Sequence, residues 1–375
     1  MAEDAGLRNI AAHCLNAFLI SLVLSLAMEK VARRLGFVDV PTSRKKHEGS
    51  IPLVGVAVFL AFSASSLLVS QRPPEVVGLF VGLTMIVLIG LVDDKMDLRA
   101  PYKLLAQVIS VAVIASSGDL LIVSAGNLDH GQPLMLGQWA FPVTIFAVVG
   151  MINATNMIDG LDGLAGGISL TSLIWFAAAA QLLGRFDELL VILVLACSVL
   201  GFLVLNIRNP WRLRAAVFLG DSGSMMLGLA LAFVAVNLSQ HSEFALSPIA
   251  VLWICGLPII DTLSLIVRRL AVGHNPMASD RQHLHHLMLD SGFTVSQTVF
   301  LLIGINIVLG AIGVVGWHLE VPDPILLLGL MVPIALHTWF VGYGRKHQPG
   351  TAQLSHGKAA RRPVRSRRSQ MRHQL

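Results

Sequence analysis

Charged residues are scarce in this sequence: aspartate, glutamate, lysine and arginine together make up 13% of its 375 residues. About a quarter of the residues in a soluble globular protein are charged, so an ordinary soluble domain is excluded. Cysteine is also rare, and the three cysteines form no Cys-x-x-Cys pair, which argues against structural disulfides and a zinc site. Hydrophobic residues make up 55% of the chain, and this excess indicates a protein embedded in a membrane.

The hydrophobic residues occur in long blocks, several of which reach the roughly 18–20 residues that a helix needs to cross a bilayer. The first block, Ile10–Met28, continues into Glu29 and Lys30 without a small-residue cleavage site, which predicts a retained span. The blocks predict eleven spans that end near residues 32, 70, 92, 118, 152, 183, 205, 240, 268, 318 and 343. We therefore expect an all-α, polytopic membrane domain over residues 1–343 and a basic, disordered cytoplasmic tail over 344–375.

Positive charges are distributed unevenly between the two sides of these predicted spans. With Met1 outside, 24 of the 27 lysines and arginines lie on the inner side or at an inner span end, and only Arg8, Arg72 and Arg185 lie outside. This asymmetry is what the positive-inside rule predicts for a multi-pass protein of the inner, cytoplasmic membrane. The basic tail suits anionic lipid headgroups; nucleic acid is not expected as a partner, because no aromatic residues are interleaved with the basic ones.

Reactive side chains are concentrated on the inner side, in four separate clusters. The first begins with Asp93 and Asp94 at the end of an apolar segment, and Asp97 and Lys103 follow. An aspartate at the middle of a span costs about 2.5–3.5 kcal/mol, so adjacent carboxylates at a span end need to be paired, hydrated or bound to a metal. The alternative is a charge cluster that only ends the span.

The second cluster alternates oxygen-bearing side chains with glycines. Asn153, Asn156, Asp159 and Asp162 recur at every third position, and Gly160 lies among them. Carboxylate and amide oxygens suit Mg²⁺ or a ligand that carries hydroxyl and N–H groups. A glycine-rich turn would account for the glycines, but not for four such side chains beside a membrane.

The third cluster contains Asn206 and a Phe-Leu-Gly-Asp-Ser-Gly sequence that begins at Phe218. Its serine, Ser222, lies one position too early for the Gly-x-Ser-x-Gly nucleophile elbow, so a serine hydrolase is excluded. Asp221 begins an apolar segment, where it either caps a helix or contributes to a site.

The fourth cluster combines arginines with histidines: Arg269 is followed by Arg281, His283, His285 and His286. Zinc would need a further ligand that this segment does not supply. Arginine pairs with phosphate through two parallel hydrogen bonds, so the cluster favours an anion-binding site. The alternative is a solvated basic loop.

Together, the four clusters place acidic and amide oxygens and a comparable number of cationic donors on one side of the membrane. This set of groups is typical of phosphoryl transfer, in which carboxylates hold Mg²⁺ and cations stabilise the charge on the transferred oxygens. A membrane transporter would more naturally bury such groups at mid-bilayer, although it remains an alternative.

The order of the four motifs resembles that of the polyprenyl-phosphate N-acetylhexosamine-1-phosphate transferases, and the WecA-like branch that makes lipid-linked GlcNAc in particular. The resemblance covers roughly residues Arg44 to Gly292. It implies transfer of N-acetylhexosamine-1-phosphate, preferentially GlcNAc-1-phosphate, from a UDP-sugar to undecaprenyl phosphate, with release of UMP. It further implies a requirement for Mg²⁺ or Mn²⁺, an active site in cytoplasmic loops, and a product that starts O-antigen or a related cell-envelope glycan.

The resemblance also implies roles for individual residues. Four would take part in catalysis: Asp93, Asp94, Asp159 and His283. Two would bind the metal: Asp221 and Asn156. Ten would hold substrate: Lys46, Lys103, Asn153, Asp162, Asn206, Phe218, Arg269, Arg281, His285 and His286. Among the last group, Asp162 and Phe218 would contact the uracil ring.

The sugar that is transferred stays open at this point. The same reaction could use a UDP-linked 6-deoxy-N-acetylhexosamine or UDP-MurNAc-pentapeptide, but the His-x-His-His order at residues 283–286 is closer to the GlcNAc branch. The expected partners are the UDP-sugar, the polyprenyl phosphate and the lipid bilayer. Self-association into a homodimer is expected by analogy with other membrane enzymes of this size.

Overall fold

The computed structural model describes residues 2–39, 50–68, 76–116, 120–128, 132–240, 245–271, 273 and 283–346. Lys46, Arg281 and the tail from residue 347 lie outside the described residues. Over the described ranges the chain forms fourteen α-helices: α1 (Ala2–Leu35), α2 (Val56–Leu67), α3 (Val76–Met96), α4 (Ala100–Ser116), α5 (Ala140–Ile158), α6 (Leu164–Leu182), α7 (Phe186–Asn206), α8 (Gly220–Gln240), α9 (Pro248–Ile254), α10 (Gly256–Ala271), α11 (Leu284–Asp290), α12 (Val295–His318), α13 (Asp323–Gly329) and α14 (Met331–Lys346). Two short strands, β1 (Val38–Asp39) and β2 (Ile51–Pro52), pair antiparallel.

The helices account for all the predicted spans. Eight segments are long and apolar enough to cross a membrane, and a ninth is added when α9 and α10 are taken as one bent span. The shorter apolar helices α2 and α4 lie where the second and fourth spans were predicted. The prediction of an all-α, polytopic membrane protein is therefore confirmed.

One predicted span is not a straight helix. The apolar run that includes α9 and α10 bends by 83° between the two helices. Pro258 lies in the first turn of α10 and has no N–H with which to bond the Ile254 carbonyl. That carbonyl instead accepts a hydrogen bond of 3.0 Å from the hydroxyl of Ser172 in α6. A proline inside a helical segment together with a replacement partner is a common cause of such a kink.

Helix α8 forms the centre of the bundle. Its residues are buried without interruption from Ser222 to Leu238, and α3, α5, α6 and α2 pack around it. Because α3 and α5 end where α8 begins, the last turns of two helices meet the first turn of a third. We call this end of the bundle, where α3, α5 and α7 end and α8 begins, the site end.

The contact between α3 and α8 depends on Gly90. A methyl group at this position would lie 2.3 Å from the Cα atom and 2.5 Å from the backbone nitrogen of Ser222. Neither atom belongs to a flexible side chain, so the two helices approach this closely only because residue 90 lacks a side chain.

We expect Gly90→Ala to force α3 away from α8 and to lower the free energy of unfolding by about 1–3 kcal/mol, the usual cost of overpacking. Thermal unfolding of the purified protein in detergent, followed by tryptophan fluorescence, measures this change. The matched control is Gly150→Ala in α5, where an added methyl group would meet no atom within 4 Å. Equal unfolding midpoints for the two variants would contradict the proposed helix contact.

Candidate active site

Asp94 caps the first turn of α8 from the neighbouring helix α3. Its carboxylate accepts hydrogen bonds from the backbone N–H groups of Asp221 (2.7 Å) and Ser222 (3.1 Å). The first N–H groups of a helix have no partner within the helix, and the positive end of the helix dipole favours a carboxylate there. The capping role considered for Asp221 in the sequence thus belongs to Asp94, and the Asp221 carboxylate has other partners.

Lys103 lies at the centre of the site, in the first turn of α4. Its ammonium nitrogen is 2.6 Å from Oδ2 of Asp93, 2.9 Å from Oδ1 of Asp221 and 3.0 Å from Oδ1 of Asn156. The side chains of Asp93 and Lys103 are 5% and 15% exposed, so water screens this charge little. Two carboxyl groups and one amide oxygen thus surround one ammonium group, and the excess of negative charge suits the cluster to hold further positive charge.

Asn156 orients the Asp221 carboxylate. Its Nδ2 atom donates to Oδ1 of Asp221 (2.6 Å) and to the hydroxyl of Ser224 (2.8 Å). One turn earlier in α5, Asn153 donates to Oε1 of Gln107 in α4 at 2.6 Å. Asn156 therefore belongs to the charged cluster, whereas Asn153 connects α5 to α4 beside it.

Helices α3 and α5 extend beyond the predicted span ends. Asp93 and Asp94 lie in the last turn of α3, and Asn153 and Asn156 lie in the last two turns of α5. The predicted spans end near residues 92 and 152, just before these four side chains, whereas in the structure all four are held on helix ends. The four polar residues of the second cluster do not lie on one continuous helix. Helix α5 ends at Ile158 and α6 starts at Leu164, so Asp159 and Asp162 lie in the turn between them.

The turn between α5 and α6 is fixed to the segment that follows α7. Arg208 donates to Oδ2 of Asp162 at 2.6 Å, and the backbone N–H of Ala215 donates to the same oxygen at 3.1 Å. Asn206 is buried; its oxygen accepts from the Gly163 N–H and its Nδ2 atom donates to the Val217 carbonyl. The amide of Asn206 thus joins three segments, and its predicted contact with substrate stays a prediction, as does that of Asp162 with uracil.

Phe218 lies beside strand β2, which is part of the segment that connects α1 to α2. Its N–H donates to the carbonyl of Pro52 and its carbonyl accepts from the N–H of Val54, each at 2.9 Å. Its side chain is half-buried. Strand β2 is therefore held against the segment that enters α8, and this pairing places the Phe218 ring at the site end.

The histidines of the fourth cluster approach the second cluster. His283 and His285 are buried, and their rings lie nearly parallel with centroids 5.8 Å apart. The rings of His285 and His286 have centroids 4.2 Å apart. A methyl group on Gly160 would lie 2.2 Å from Nε2 of His285, so the histidines come within contact distance of the turn that carries Asp159. Arg269, in the last turn of α10, is also buried.

Two residues beside this cluster were not predicted. Asp261 in α10 is 2% exposed, and its carboxylate contacts the rings of His283 and His337. Asp261 is the single acidic residue in the apolar run from Leu246 to Val267. A carboxylate inside a span is costly and is therefore a functional candidate in its own right, so the sequence contained a signal for Asp261.

The oxygens around Lys103 fit a divalent cation of the Mg²⁺ type. Asp93 and Asp221 supply carboxylate oxygens and Asn156 an amide oxygen, which are the hard ligands that Mg²⁺ prefers. In the described part of the chain, no three histidine, cysteine, aspartate or glutamate side chains group as a complete metal site. Mg²⁺ usually binds one or two carboxylates together with substrate phosphates.

The chain is a helical membrane bundle with carboxylates, a lysine and histidines at one end, and these are the groups that phosphoryl transfer requires. Residues 76–239, which include α3 to α8 and the first three clusters, match the family model for glycosyl transferase family 4. The chain belongs to the family of the undecaprenyl-phosphate α-N-acetylglucosaminyl 1-phosphate transferases, as the motif resemblance predicted.

Three curated proteins of that name illustrate the similarity. The chain is 32% identical to the protein of Yersinia pestis over 342 residues, which cover 90% of this chain and 92% of that protein. It is 31% identical to the protein of Escherichia coli O157:H7 over 341 residues, with the same coverage. It is 30% identical to the protein of Haemophilus influenzae over 328 residues, which cover 86% of this chain and 92% of that protein. The similarity thus extends over nearly the whole length of these proteins.

The cap on α8 predicts how substitutions of Asp94 differ. We expect Asp94→Ala to lower the free energy of unfolding by about 0.5–2 kcal/mol, the usual cost of losing a helix cap. Asp94→Asn should retain most of this stability, because an amide oxygen still accepts a hydrogen bond from the first turn. Unfolding of both variants in detergent gives the comparison; if the alanine variant were as stable as the asparagine variant, Asp94 would not act as the cap.

Proposed function

We propose that the protein transfers GlcNAc-1-phosphate from UDP-GlcNAc to undecaprenyl phosphate, releasing UMP and forming a lipid diphosphate sugar. The observation that carries this proposal is the convergence of Asp93, Asp221 and Asn156 on the ammonium group of Lys103. The names of the relatives, which specify an N-acetylglucosaminyl 1-phosphate transferase for undecaprenyl phosphate, support the transferred group and the lipid acceptor.

In the proposed reaction, an oxygen of the lipid phosphate attacks the sugar-linked phosphorus of UDP-GlcNAc. The bond between this phosphorus and the bridging oxygen of the diphosphate breaks, and UMP leaves with that oxygen. Two anionic substrates must approach each other, so the site has to supply positive charge. Lys103 provides one such charge beside the carboxylates. We assign further phosphate contacts to Arg269 in α10 and to His283, His285 and His286, of which His285 reaches the neighbouring turn at Gly160.

We assign the metal to side-chain oxygens of the cluster around Lys103. Asp221 and Asn156 would hold Mg²⁺, or Mn²⁺ in its place, near the diphosphate. When bound, this ion supplies charge neutralisation for the diphosphate and for the UMP that leaves. Asn156 keeps the Asp221 carboxylate directed into the cluster through the 2.6 Å hydrogen bond from its Nδ2 atom.

The two adjacent aspartates differ in their availability for chemistry. Both oxygens of Asp94 are engaged by backbone N–H groups of α8. Asp93 accepts a backbone hydrogen bond through Oδ1 only, from the Leu98 N–H at 2.8 Å. Its Oδ2 atom contacts the flexible side chain of Lys103, and this partner can move when substrate binds. We therefore assign the contact with the lipid phosphate to Asp93, and we assign the positioning of α8 to Asp94.

The nucleotide-sugar is assigned to the turn between α5 and α6 and to the start of α8. Asp159 and Asp162 lie in that turn, and Phe218 lies before α8 with a half-buried ring that can stack on uracil. We place the protein in the inner membrane with the site end in the cytoplasm, where UDP-sugars are made. The product would begin O-antigen or a related cell-envelope glycan.

The substrate assignment predicts that purified protein in detergent releases UMP from UDP-GlcNAc only when undecaprenyl phosphate is added. A panel of UDP-sugars with one lipid acceptor, analysed by chromatography of the released UMP, tests the sugar. Faster release from a UDP-linked 6-deoxy-N-acetylhexosamine or from UDP-MurNAc-pentapeptide would transfer the assignment to that substrate. Flux of a UDP-sugar into proteoliposomes without its consumption would instead identify a transporter.

The metal assignment predicts that Asp221→Asn lowers Mg²⁺-dependent UMP release by about a hundredfold or more, because charge on the reacting phosphates is no longer balanced. Initial rates over a range of Mg²⁺ concentrations measure the loss and any change in the concentration required. The matched control is Asp187→Asn, an exposed aspartate in the first turn of α7, at the opposite end of the bundle. Near-normal turnover of Asp221→Asn would remove Asp221 from the metal site.

A further inference from the structure

Asp261 joins three helices around one buried carboxylate. Its Oδ2 atom lies 2.8 Å from Nδ1 of His283. Its Oδ1 atom accepts from the Leu284 N–H at 3.0 Å and lies 3.0 Å from Nε2 of His337 in α14. A buried carboxylate is costly unless hydrogen bonds replace its hydration, and these three donors from α11 and α14 do so.

The carboxylate fixes both the tautomer and the direction of the His283 ring. Because Asp261 accepts a hydrogen bond from Nδ1, this nitrogen carries the proton, and Nε2 is the ring nitrogen that remains for a ligand. The Leu284 N–H holds the same carboxylate at the start of α11. Asp261 therefore holds His283 in two ways: it contacts Nδ1 of the ring, and it binds the backbone N–H of the next residue, Leu284.

His337 supports the arrangement from the opposite side. It is 7% exposed, and within the described ranges its Nδ1 atom has no hydrogen-bond partner, whereas its Nε2 atom contacts Asp261. The contact with Asp261 is thus the polar contact that the structure gives to the buried His337 ring. This contact is the feature that distinguishes His337 from an apolar residue at this place in the last span.

His283 lies where these contacts can affect the reaction. Its ring stacks on that of His285, which reaches the Gly160 turn beside Asp159. The chain of contacts from His337 through Asp261 to His283 therefore ends at the candidate active site, and a shift of the His283 ring would change the surroundings of the bound phosphates.

We propose that Asp261 and His337 are positioning residues of the transferase. Asp261 holds His283 with Nε2 directed to substrate, and His337 holds Asp261 in place. This inference rests on the proposed function, since it concerns the orientation of a substrate-binding histidine. The competing explanation is that the contact only stabilises the packing of α10 against α14. In that case, substitutions of Asp261 and His337 would lower the stability of the protein, and their effect on kcat would not depend on His283.

The test compares four substitutions in the full-length protein in detergent. His337→Leu removes the donor to Asp261, whereas His337→Gln retains an amide nitrogen at about the position of Nε2. Asp261→Asn keeps the shape but not the charge, and His283→Asn keeps a donor near Nδ1 but has no counterpart of Nε2. His318→Leu, at the far end of α12, is the control for loss of a histidine.

We expect His337→Leu and Asp261→Asn each to lower kcat for UMP release by about tenfold or more, the usual effect of removing an orienting partner. His337→Gln should recover most of the turnover. In the His283→Asn background, neither substitution should reduce the residual rate further, because both act through His283. His318→Leu should behave like the wild type.

A second readout does not depend on turnover. In protein with isotope-labelled histidine, the magnetic-resonance signal of His283, identified by its loss in His283→Asn, should report a protonated Nδ1 in the wild type. This signal should shift in Asp261→Asn and in His337→Leu, and should stay close to the wild-type position in His337→Gln. The same spectra apply to any variant that is too inactive for kinetics.

The outcomes separate the two proposals. A wild-type protein that releases no UMP from UDP-GlcNAc would overturn the proposed function, whatever the spectra show. If the wild type is active, unchanged kcat in Asp261→Asn and His337→Leu would overturn the positioning role. So would multiplying losses in the His283→Asn background, or a His283 signal that none of the substitutions moves. If His337→Leu does not fold, the pair Asp261→Asn and His283→Asn gives the same decision.

Discussion

The contact of the Lys103 ammonium group with Asp93, Asp221 and Asn156 is the interaction on which the arrangement of the site end depends. The four side chains come from α4, α3, α8 and α5, and at least two of them are largely removed from water. Charges in such a place are tolerated only when they are paired and hydrogen-bonded. The helices must therefore keep their ends in register, and close approach of the α3 and α8 backbones at Gly90 makes this possible.

Much of this architecture could be predicted from the sequence, because the costs involved are large. A span needs a long apolar block, so the helices were located within a few residues. Polar residues beside the apolar blocks identified Lys103 and the three residues around it. The bend between α9 and α10 could not be predicted in the same way. Pro258 is compatible with a kink, but membrane helices often tolerate a proline, and the Ser172 hydroxyl that binds the freed carbonyl lies 82 residues away in sequence.

The roles of individual polar residues were harder to predict, since a motif specifies residue types and not their partners. The cap on α8 is Asp94 and not Asp221, because the α3 carboxylate reaches two backbone N–H groups across the helix contact. Asn206, predicted to hold substrate, uses both ends of its amide within the protein. His337 has no motif around it, and its contact with Asp261 spans 76 residues of sequence.

Adjacent aspartates in α3 have different surroundings for a geometric reason. Successive residues of a helix point about 100° apart, so Asp94 faces the first turn of α8 while Asp93 faces the first turn of α4. Both oxygens of Asp94 are bound by backbone groups that cannot move without displacing α8. Asp93 has one oxygen bound by the Leu98 N–H, just after its own helix, and the other by a lysine with four rotatable bonds. In the proposed reaction this difference lets the site exchange the partner of Asp93 for substrate while α8, and with it Asp221, stays fixed.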